Sequence, residues 1–276
     1  MPRISRRQAM LLAGSATLAT PAIAQTKQSP GVTATEILLG QTMPYSGPAS
    51  SYAPIGHVEV AYTDFINDRG GINGRKIKLL SFDDGYSPPK TLEQTRRLVE
   101  EENVAFIYQS LGTPTSMATR RYLNQKQVPQ LFVASGATQF GDRDNFPWTM
   151  GWQISYQIEG HVYARYVMSE KPDAKIAILY QNDDSGKDFL KGFKDGLGDK
   201  VRQIVAAISY EPTDPTVDSQ VVQLQGSGAD TLFVASIPKV TAMALRKVRD
   251  LAWSPLYIIA SVGASVASRE KIGCTV

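Results

Sequence analysis

Short apolar runs alternate with segments of helical periodicity along almost the whole chain. The runs are rich in β-branched and aromatic residues, which is typical of buried strands. They lie at 36–40, 76–82, 104–109, 129–135, 175–180, 201–210, 230–236 and 255–261. Between the first two runs, apolar residues recur on one helical face from Ile55 to Ile66 and stop before Gly70-Gly71. The alternation predicts right-handed βαβ units, and hence an α/β protein with parallel sheets.

Three of the predicted helices begin at a proline. Pro88, Pro114 and Pro238 each open a segment of helical periodicity. Proline is well tolerated there because its missing N–H would have no acceptor within the first turn. These starts place the helices directly after predicted strands, as βα units require.

A break in the alternation divides the chain. Glycine, aspartate and proline interrupt it between Gly136 and Ser155, with four predicted strands before the break and about four after it. We interpret the break as the first crossing between two Rossmann-like lobes, lobe I over 33–147 and lobe II over 148–260. A length of 276 residues is compatible with two such lobes.

The first 24 residues differ from the rest in composition. They contain three arginines and no acid, then an apolar stretch over 9–19 and an Ala-Ile-Ala cleavage signal at 22–24. The pair Arg6-Arg7 resembles a twin-arginine export signal. The three arginines of this segment account for the net charge of +3. We expect the segment to be removed, which leaves a soluble periplasmic protein that begins near Gln25. An amphipathic first helix is the alternative.

Composition and motifs exclude several classes of protein. The only cysteine is Cys274, so an internal disulfide cannot form. No later apolar run reaches the roughly 20 residues of a membrane span. The sequence has no Walker loop, dinucleotide fingerprint, nucleophile elbow or metal-binding spacing, and no basic patch with interleaved aromatics. We expect no catalysis, cofactor, metal or nucleic-acid partner.

Two pairs of acids follow predicted strands. Asp83-Asp84 and Asp183-Asp184 each precede a predicted helix, where a carboxylate is stabilised by the helix N-terminus. A general acid/base pair is the alternative. We interpret both pairs as structural.

Small hydroxylic residues follow several strands. Ligands of parallel sheets bind beyond the carboxyl ends of the strands, and Gly112 and Thr113 stand there at a predicted helix N-terminus. Such a terminus binds anions. Ser135, Gly136 and Thr138 follow the next strand. We predict a carboxylate site, with an N-cap role for Thr113 and a turn role for Ser135 as alternatives.

The stretch from Met43 to Thr91, "MPYSGPASSYAPIGHVEVAYTDFINDRGGINGRKIKLLSFDDGYSPPKT", resembles the start of branched-chain amino-acid (Leu/Ile/Val) binding proteins of ABC importers. The resemblance extends over the chain after the signal, most strongly to about Thr138. It implies a type I periplasmic binding protein, a monomer that captures a small solute for a membrane permease. A ligand-sensing domain that serves a receptor is the alternative from another class.

The resemblance, the hydroxyls at the strand ends and one aromatic residue near the crossing together give the predicted ligand-binding residues. These are Tyr52, Gly112, Thr113, Ser135, Gly136, Thr138, Trp152, Ser185, Ser236 and Ser261. Ser185 replaces a family tyrosine, and Ser261 replaces the family glutamate that holds the ammonium group of the ligand. A buried ammonium without a counter-charge is costly, so we expect an aromatic carboxylate, with a branched-chain amino acid as the alternative.

The aromatic part of such a ligand needs a stacking surface. Trp148, Trp152 and Tyr156 lie near the crossing and could supply it; ordinary core packing is the alternative. Family members usually continue through further crossings, so we expect the second lobe to be incomplete and 261–276 to be a truncated or aberrant tail.

Overall fold

The computed structural model describes residues 29–264 and contains seven α-helices and nine strands there. The elements are β1 Glu36–Met43, α1 Ala53–Asp68, β2 Lys76–Asp83, α2 Pro88–Glu100, β3 Phe106–Tyr108, α3 Thr113–Lys126, β4 Gln130–Val133, β5 Thr149–Gly151, α4 Tyr156–Glu170, β6 Ile176–Gln181, α5 Asp184–Leu197, β7 Ile204–Tyr210, α6 Asp218–Gly226, β8 Thr231–Ala235, α7 Pro238–Asp250 and β9 Leu256–Ile259. The predicted signal segment, the cysteine and most of the predicted tail lie outside the described residues.

The strands form two parallel sheets. The first has the order β2-β1-β3-β4-β5 and the second the order β7-β6-β8-β9. The predicted α/β class with two parallel sheets is therefore confirmed. All eight predicted strands are present, although 201–203 belong to a 3₁₀ turn that precedes β7.

One strand was missed. β5 has only three residues, Thr149–Gly151, and no apolar run marks it. It pairs with β4 in the first sheet, so that sheet extends past the predicted boundary between residues 147 and 148.

Aromatic rings fill the core of the second lobe. The Phe233 ring on β8 stacks on Phe193, with their centroids 5.0 Å apart, and meets Phe189 edge-on at 6.0 Å. In the first lobe, α2 and α3 pack on one face of the sheet through Leu98 and Leu123, both fully buried. This cluster around Leu98 and Leu123 is confined to the first lobe, whereas two larger apolar clusters contain residues of both lobes.

The apolar faces of α1 and α4 are exposed. Val58 and Tyr62 on α1 are 66% and 61% exposed, and Ile158 and Val162 on α4 are 60% and 57% exposed. The periodicity therefore predicted α1 correctly, but its apolar face is not covered by any described residue. Across residues 29–264, no helix is apolar and long enough to cross a bilayer.

Helices α4 and α5 cross with their backbones in contact. A Cβ added at Gly192 would lie 1.9 Å from the Gln157 carbonyl oxygen, and one at Gly160 would lie 2.5 Å from that of Phe189. Because these obstacles are backbone atoms of a packed helix, a side chain cannot be accommodated by rotation. The glycines set the distance between the two helices.

We expect Gly192→Ala to lower the free energy of unfolding by about 1–3 kcal/mol because the helices must separate. Gly226→Ala is the matched control: Gly226 is an exposed helical glycine with no heavy atom near the added methyl group, so alanine should stabilise the chain by up to about 1 kcal/mol. Urea unfolding of both variants measures the difference. Equal stabilities would contradict the proposed helix contact.

Candidate functional site

A cleft of about 320 Å³ lies between the two lobes. The first lobe lines it with residues that follow β1, β2, β3 and β4, and the second with residues that follow β6, β8 and β9. It is therefore at the carboxyl ends of both sheets, where the parallel strands direct their loops. None of the described side chains that line it carries a charge.

The N-terminus of α3 forms one end of the cleft. Gly112 is the N-cap residue with φ 107°, and an added Cβ would lie 2.6 Å from Cε2 of Tyr86. Glycine is thus required by both the backbone conformation and the close approach of the tyrosine ring. The helix start supplies amide N–H groups without acceptors inside the helix, except at Pro114, which has none.

Thr113 is held by a buried hydroxyl pair. Its Oγ1 lies 2.6 Å from Oγ of Ser135, which also accepts a hydrogen bond from the Ala137 amide at 3.1 Å. Thr113 lines the cleft, whereas Ser135 does not. Ser135 therefore orients the threonine and is not itself part of the cleft wall.

Gln181 forms the floor on the second-lobe side, and Tyr210 supports it without lining the cleft. Tyr210 donates its hydroxyl proton to Oε1 of Gln181 at 2.9 Å and accepts the Ile237 amide at 3.1 Å. Gln181 donates from Nε2 to the carboxylate of Asp183 at 2.6 Å. Burial raises the pKa of Tyr210 well above its usual value, so this hydroxyl remains a neutral donor.

Several hydrogen bonds connect the lobes. The Tyr52 hydroxyl donates to the Val262 carbonyl at 2.7 Å, the Thr138 amide donates to Asp188 at 2.7 Å, and Gln181 donates to the Tyr86 hydroxyl at 3.4 Å. Burial also raises the pKa of Tyr52. The lobes are thereby held together on either side of the cleft as well as at its floor.

The predicted ligand-binding residues divide into two groups. Those that line the cleft are Tyr52, Gly112, Thr113, Trp152, Ser185, Ser236 and Ser261. Ser135, Gly136 and Thr138 do not line it, because Ser135 supports Thr113, Gly136 fits against the Ile154 carbonyl, and Thr138 is bonded to Asp188. The predicted residues all follow strands, but the sequence does not distinguish residues that line the cleft from residues that support them.

Of the three predicted stacking residues, two line the cleft. Trp152 is 62% exposed and meets Phe132 edge-on at 5.8 Å, whereas Tyr156 is buried and stacks on Phe189 at 4.4 Å. Trp148 lies instead in a separate depression beside Phe146. The cleft therefore has an aromatic wall, which Tyr156 and Phe189 build from α4 and α5.

The Glu159 carboxylate is bonded to Ser261, but Glu159 does not line the cleft. Glu159 on α4 accepts the Ser261 amide at 2.8 Å, its hydroxyl at 3.1 Å, and the Tyr163 hydroxyl at 2.5 Å. Its oxygens are thus engaged by donors of the chain itself.

Sequence reasoning missed Tyr86, Gln181 and Phe189, which all line the cleft. Of these three residues, only Tyr86 was marked by a sequence feature, because it follows the acid pair Asp83-Asp84 in the loop after β2. Asp84 in that pair is buried, and it accepts the Tyr86 amide at 2.8 Å and the Thr91 hydroxyl at 3.0 Å. The structural interpretation of the pair is consistent with these bonds.

The model of one protein family, described as periplasmic binding protein, matches residues 36–272. The chain belongs to the periplasmic binding protein family. Its predicted type I fold is shared by a substrate-binding periplasmic protein from Ralstonia solanacearum, with a TM-score of 0.78 and 23% identity over 86% of this chain and 67% of that one.

Two further binding proteins are similar to this one. Leu/Ile/Val-binding protein homolog 7 of Brucella abortus is 24% identical over 237 residues, which cover 83% of this chain and 59% of that protein. The chain thus spans less than two thirds of this relative. A fatty acid ABC transporter substrate-binding protein from Thermomonospora curvata has a TM-score of 0.73 and 23% identity, over 88% of this chain and 62% of that one.

The loop that carries Tyr86 generates a prediction for this binding protein. Burial raises the pKa of Asp84 from 3.8 to about 6, although hydrogen bonds from Tyr86 and Thr91 offset part of the effect. The folded state therefore retains a proton that the unfolded chain loses between about pH 4 and pH 6. The contribution of Asp84 to stability falls as pH rises through this range, and the loss is complete above it.

We expect Asp84→Asn to raise the free energy of unfolding by about 1–3 kcal/mol at pH 7.5 and by nothing at pH 4. Asparagine can accept the Tyr86 amide and donate to Thr91, so the bonds of the loop persist. Denaturant unfolding at both pH values measures the effect. An advantage of equal size at pH 4 and pH 7.5 would contradict the prediction.

Asp83→Asn is a control for which we expect the opposite change in the free energy of unfolding. Burial alone would raise the pKa of Asp83, but hydrogen bonds from Ser46, Lys90 and the Gly85 amide outweigh it and lower the pKa. Ionised Asp83 therefore stabilises the fold above its unfolded pKa, and Asp83→Asn should destabilise the chain at pH 7.5.

Proposed function

We propose that the protein is the periplasmic solute-binding component of an ABC importer and captures a small aromatic carboxylate. The observation that carries this proposal is the uncharged cleft with the N-terminus of α3 at one end. An anion is stabilised there by amide N–H groups and the helix dipole. The bound solute is delivered to a membrane permease without chemical turnover, and the protein acts as a monomer.

The carboxylate end of the ligand lies against Gly112 and Thr113. The Thr113 hydroxyl and the first amides of α3 donate to its oxygens. A hydrogen bond to a charged group contributes about 1.5–3 kcal/mol. No lysine or arginine among the described residues lines the cleft, so binding depends on these oriented dipoles.

The apolar end of the ligand lies between aromatic side chains. Tyr52, Tyr156 and Phe189 face the same volume, and Trp152 stands at its exposed side. Aromatic pairs add about 0.5–1.5 kcal/mol beyond the burial of their area. A volume of about 320 Å³ is at the lower end for ligand sites, which favours a single ring.

A branched-chain amino acid is the second candidate, and it is favoured by the name of the Brucella relative. Its ammonium group would need a counter-charge in the cleft. The carboxylate bonded to Ser261 belongs to Glu159 and already accepts three hydrogen bonds. This arrangement favours a ligand without an amine.

Calorimetric titration of the chain with benzoate and with leucine separates the candidates. We expect benzoate to bind and to raise the melting temperature, and leucine to do neither. Ligand at 100 times its Kd adds about 2.7 kcal/mol of stability, which corresponds to several degrees for a chain of this size. Binding of leucine but not benzoate would refute the aromatic assignment.

Thr113→Val tests the position of the carboxylate. It removes the hydroxyl but leaves Ser135 with its partner at the Ala137 amide, so the fold should persist. We expect the affinity for benzoate to fall about 10-fold or more. Thr113→Ser, which retains the hydroxyl, is the control and should bind nearly as well as the original chain.

A further inference from the structure

The amide group of Gln181 makes a complete set of hydrogen bonds at the cleft floor. One Nε2 proton goes to the carboxylate of Asp183 at 2.6 Å and the other to the hydroxyl oxygen of Tyr86 at 3.4 Å. A carboxylate only accepts, which fixes the orientation of the amide. Nε2 therefore faces Asp183 and Tyr86, and Oε1 faces away from both.

Tyr210 fixes the other side of the same amide. Its oxygen accepts the Ile237 amide at 3.1 Å, and its proton goes to Oε1 of Gln181 at 2.9 Å. The direction of every bond from Ile237 through Tyr210 and Gln181 to Tyr86 is thus determined. Tyr86 accepts at the end of this series.

The proton of the Tyr86 hydroxyl has no acceptor among the described residues. The oxygen is used as an acceptor by Gln181, and no described residue accepts the proton. Yet Tyr86 is only 9% exposed and lines the cleft. A buried donor without an acceptor is unfavourable, and an acceptor in the cleft would remove this penalty.

The backbone holds Tyr86 at an unusual conformation. Its φ is 58°, which is uncommon for a residue other than glycine. Its amide donates a hydrogen bond to the buried Asp84. Its ring lies against Gly112 at the N-terminus of α3. Strained residues of this kind cluster at ligand sites, and here the ring is placed beside the anion-binding end of the cleft.

We propose that the Tyr86 hydroxyl is a ligand-binding donor that completes the carboxylate site from the side opposite Thr113. One oxygen of the ligand carboxylate lies at Thr113 and the start of α3, and the second accepts the proton of Tyr86. This assignment rests on the proposed function for the carboxylate class of the ligand, and it adds Tyr86 to the ligand-binding residues predicted from the sequence.

The assignment gives Tyr86 a role in coupling the lobes. Its ring belongs to the first lobe, whereas its oxygen accepts from Gln181 of the second. Donation to an anion polarises the hydroxyl and strengthens the bond that it accepts. Burial raises the pKa of Tyr86 far above its usual value, so the donor keeps its proton at all physiological pH values.

The test is the affinity of Tyr86→Phe for benzoate, 4-hydroxybenzoate and leucine by calorimetry. The variant removes one oxygen, and Gln181 keeps its bonds to Asp183 and Tyr210, so the melting temperature without ligand should change little. We expect the affinity for benzoate to fall about 10-fold or more. Tyr122→Phe, whose hydroxyl is bonded to Glu100 outside the cleft, should bind as the original chain does.

The panel separates the two proposals. Unchanged benzoate affinity in a folded Tyr86→Phe variant overturns the assignment of Tyr86 and leaves the proposed function intact. A loss confined to 4-hydroxybenzoate also overturns it, because the donor would then serve the ring substituent. If only leucine binds the original chain, the aromatic assignment fails, and a 10-fold loss of leucine affinity in the variant would still support Tyr86 as a carboxylate donor. Binding of none of the three refutes both.

Discussion

Parallel pairing within both sheets is the constraint on which the cleft depends. Parallel strands end at one edge, so every loop that follows a strand reaches the same crevice. The first sheet brings Gly112 and Tyr86 there, and the second brings Gln181 and Ser236. Residues far apart in the sequence thereby become neighbours, so the uncharged cleft is built from small contributions of many loops.

The fold was predictable because its signals are local. Apolar runs, helical periodicity and prolines at helix starts each depend on a few adjacent residues, and eight of the nine described strands carried such a signal. β5 did not, because a strand of three residues at a sheet edge needs no apolar run. The exposure of the apolar face of α1 could not be predicted either. Periodicity shows that a helix has an apolar face, but it does not show which residues cover that face.

The candidate site was predictable only as a location. Ser135 and Thr113 both follow strands and both carry hydroxyls, yet one lines the cleft and the other supports it. Gln181 has no distinguishing neighbour in the sequence, and its role comes from Tyr210 and Tyr86, which lie 29 and 95 residues away. Such roles arise from tertiary contacts within and between the lobes, and these contacts leave no pattern along the chain.

The placement of carboxylates relative to the cleft follows a common principle. Asp183 and Glu159 both approach residues that line it, but each is bonded to donors of the chain, Gln181 and Ser185 in one case and Ser261 and Tyr163 in the other. Their oxygens are therefore bonded to donors of the chain before a ligand arrives. In the proposed carboxylate site, the groups offered to the ligand are donors, namely the start of α3 and the Tyr86 hydroxyl. A surface that offers donors and no free acceptor charge selects an anion over a zwitterion, because the ammonium group of a zwitterion would lose its hydration without gaining a partner.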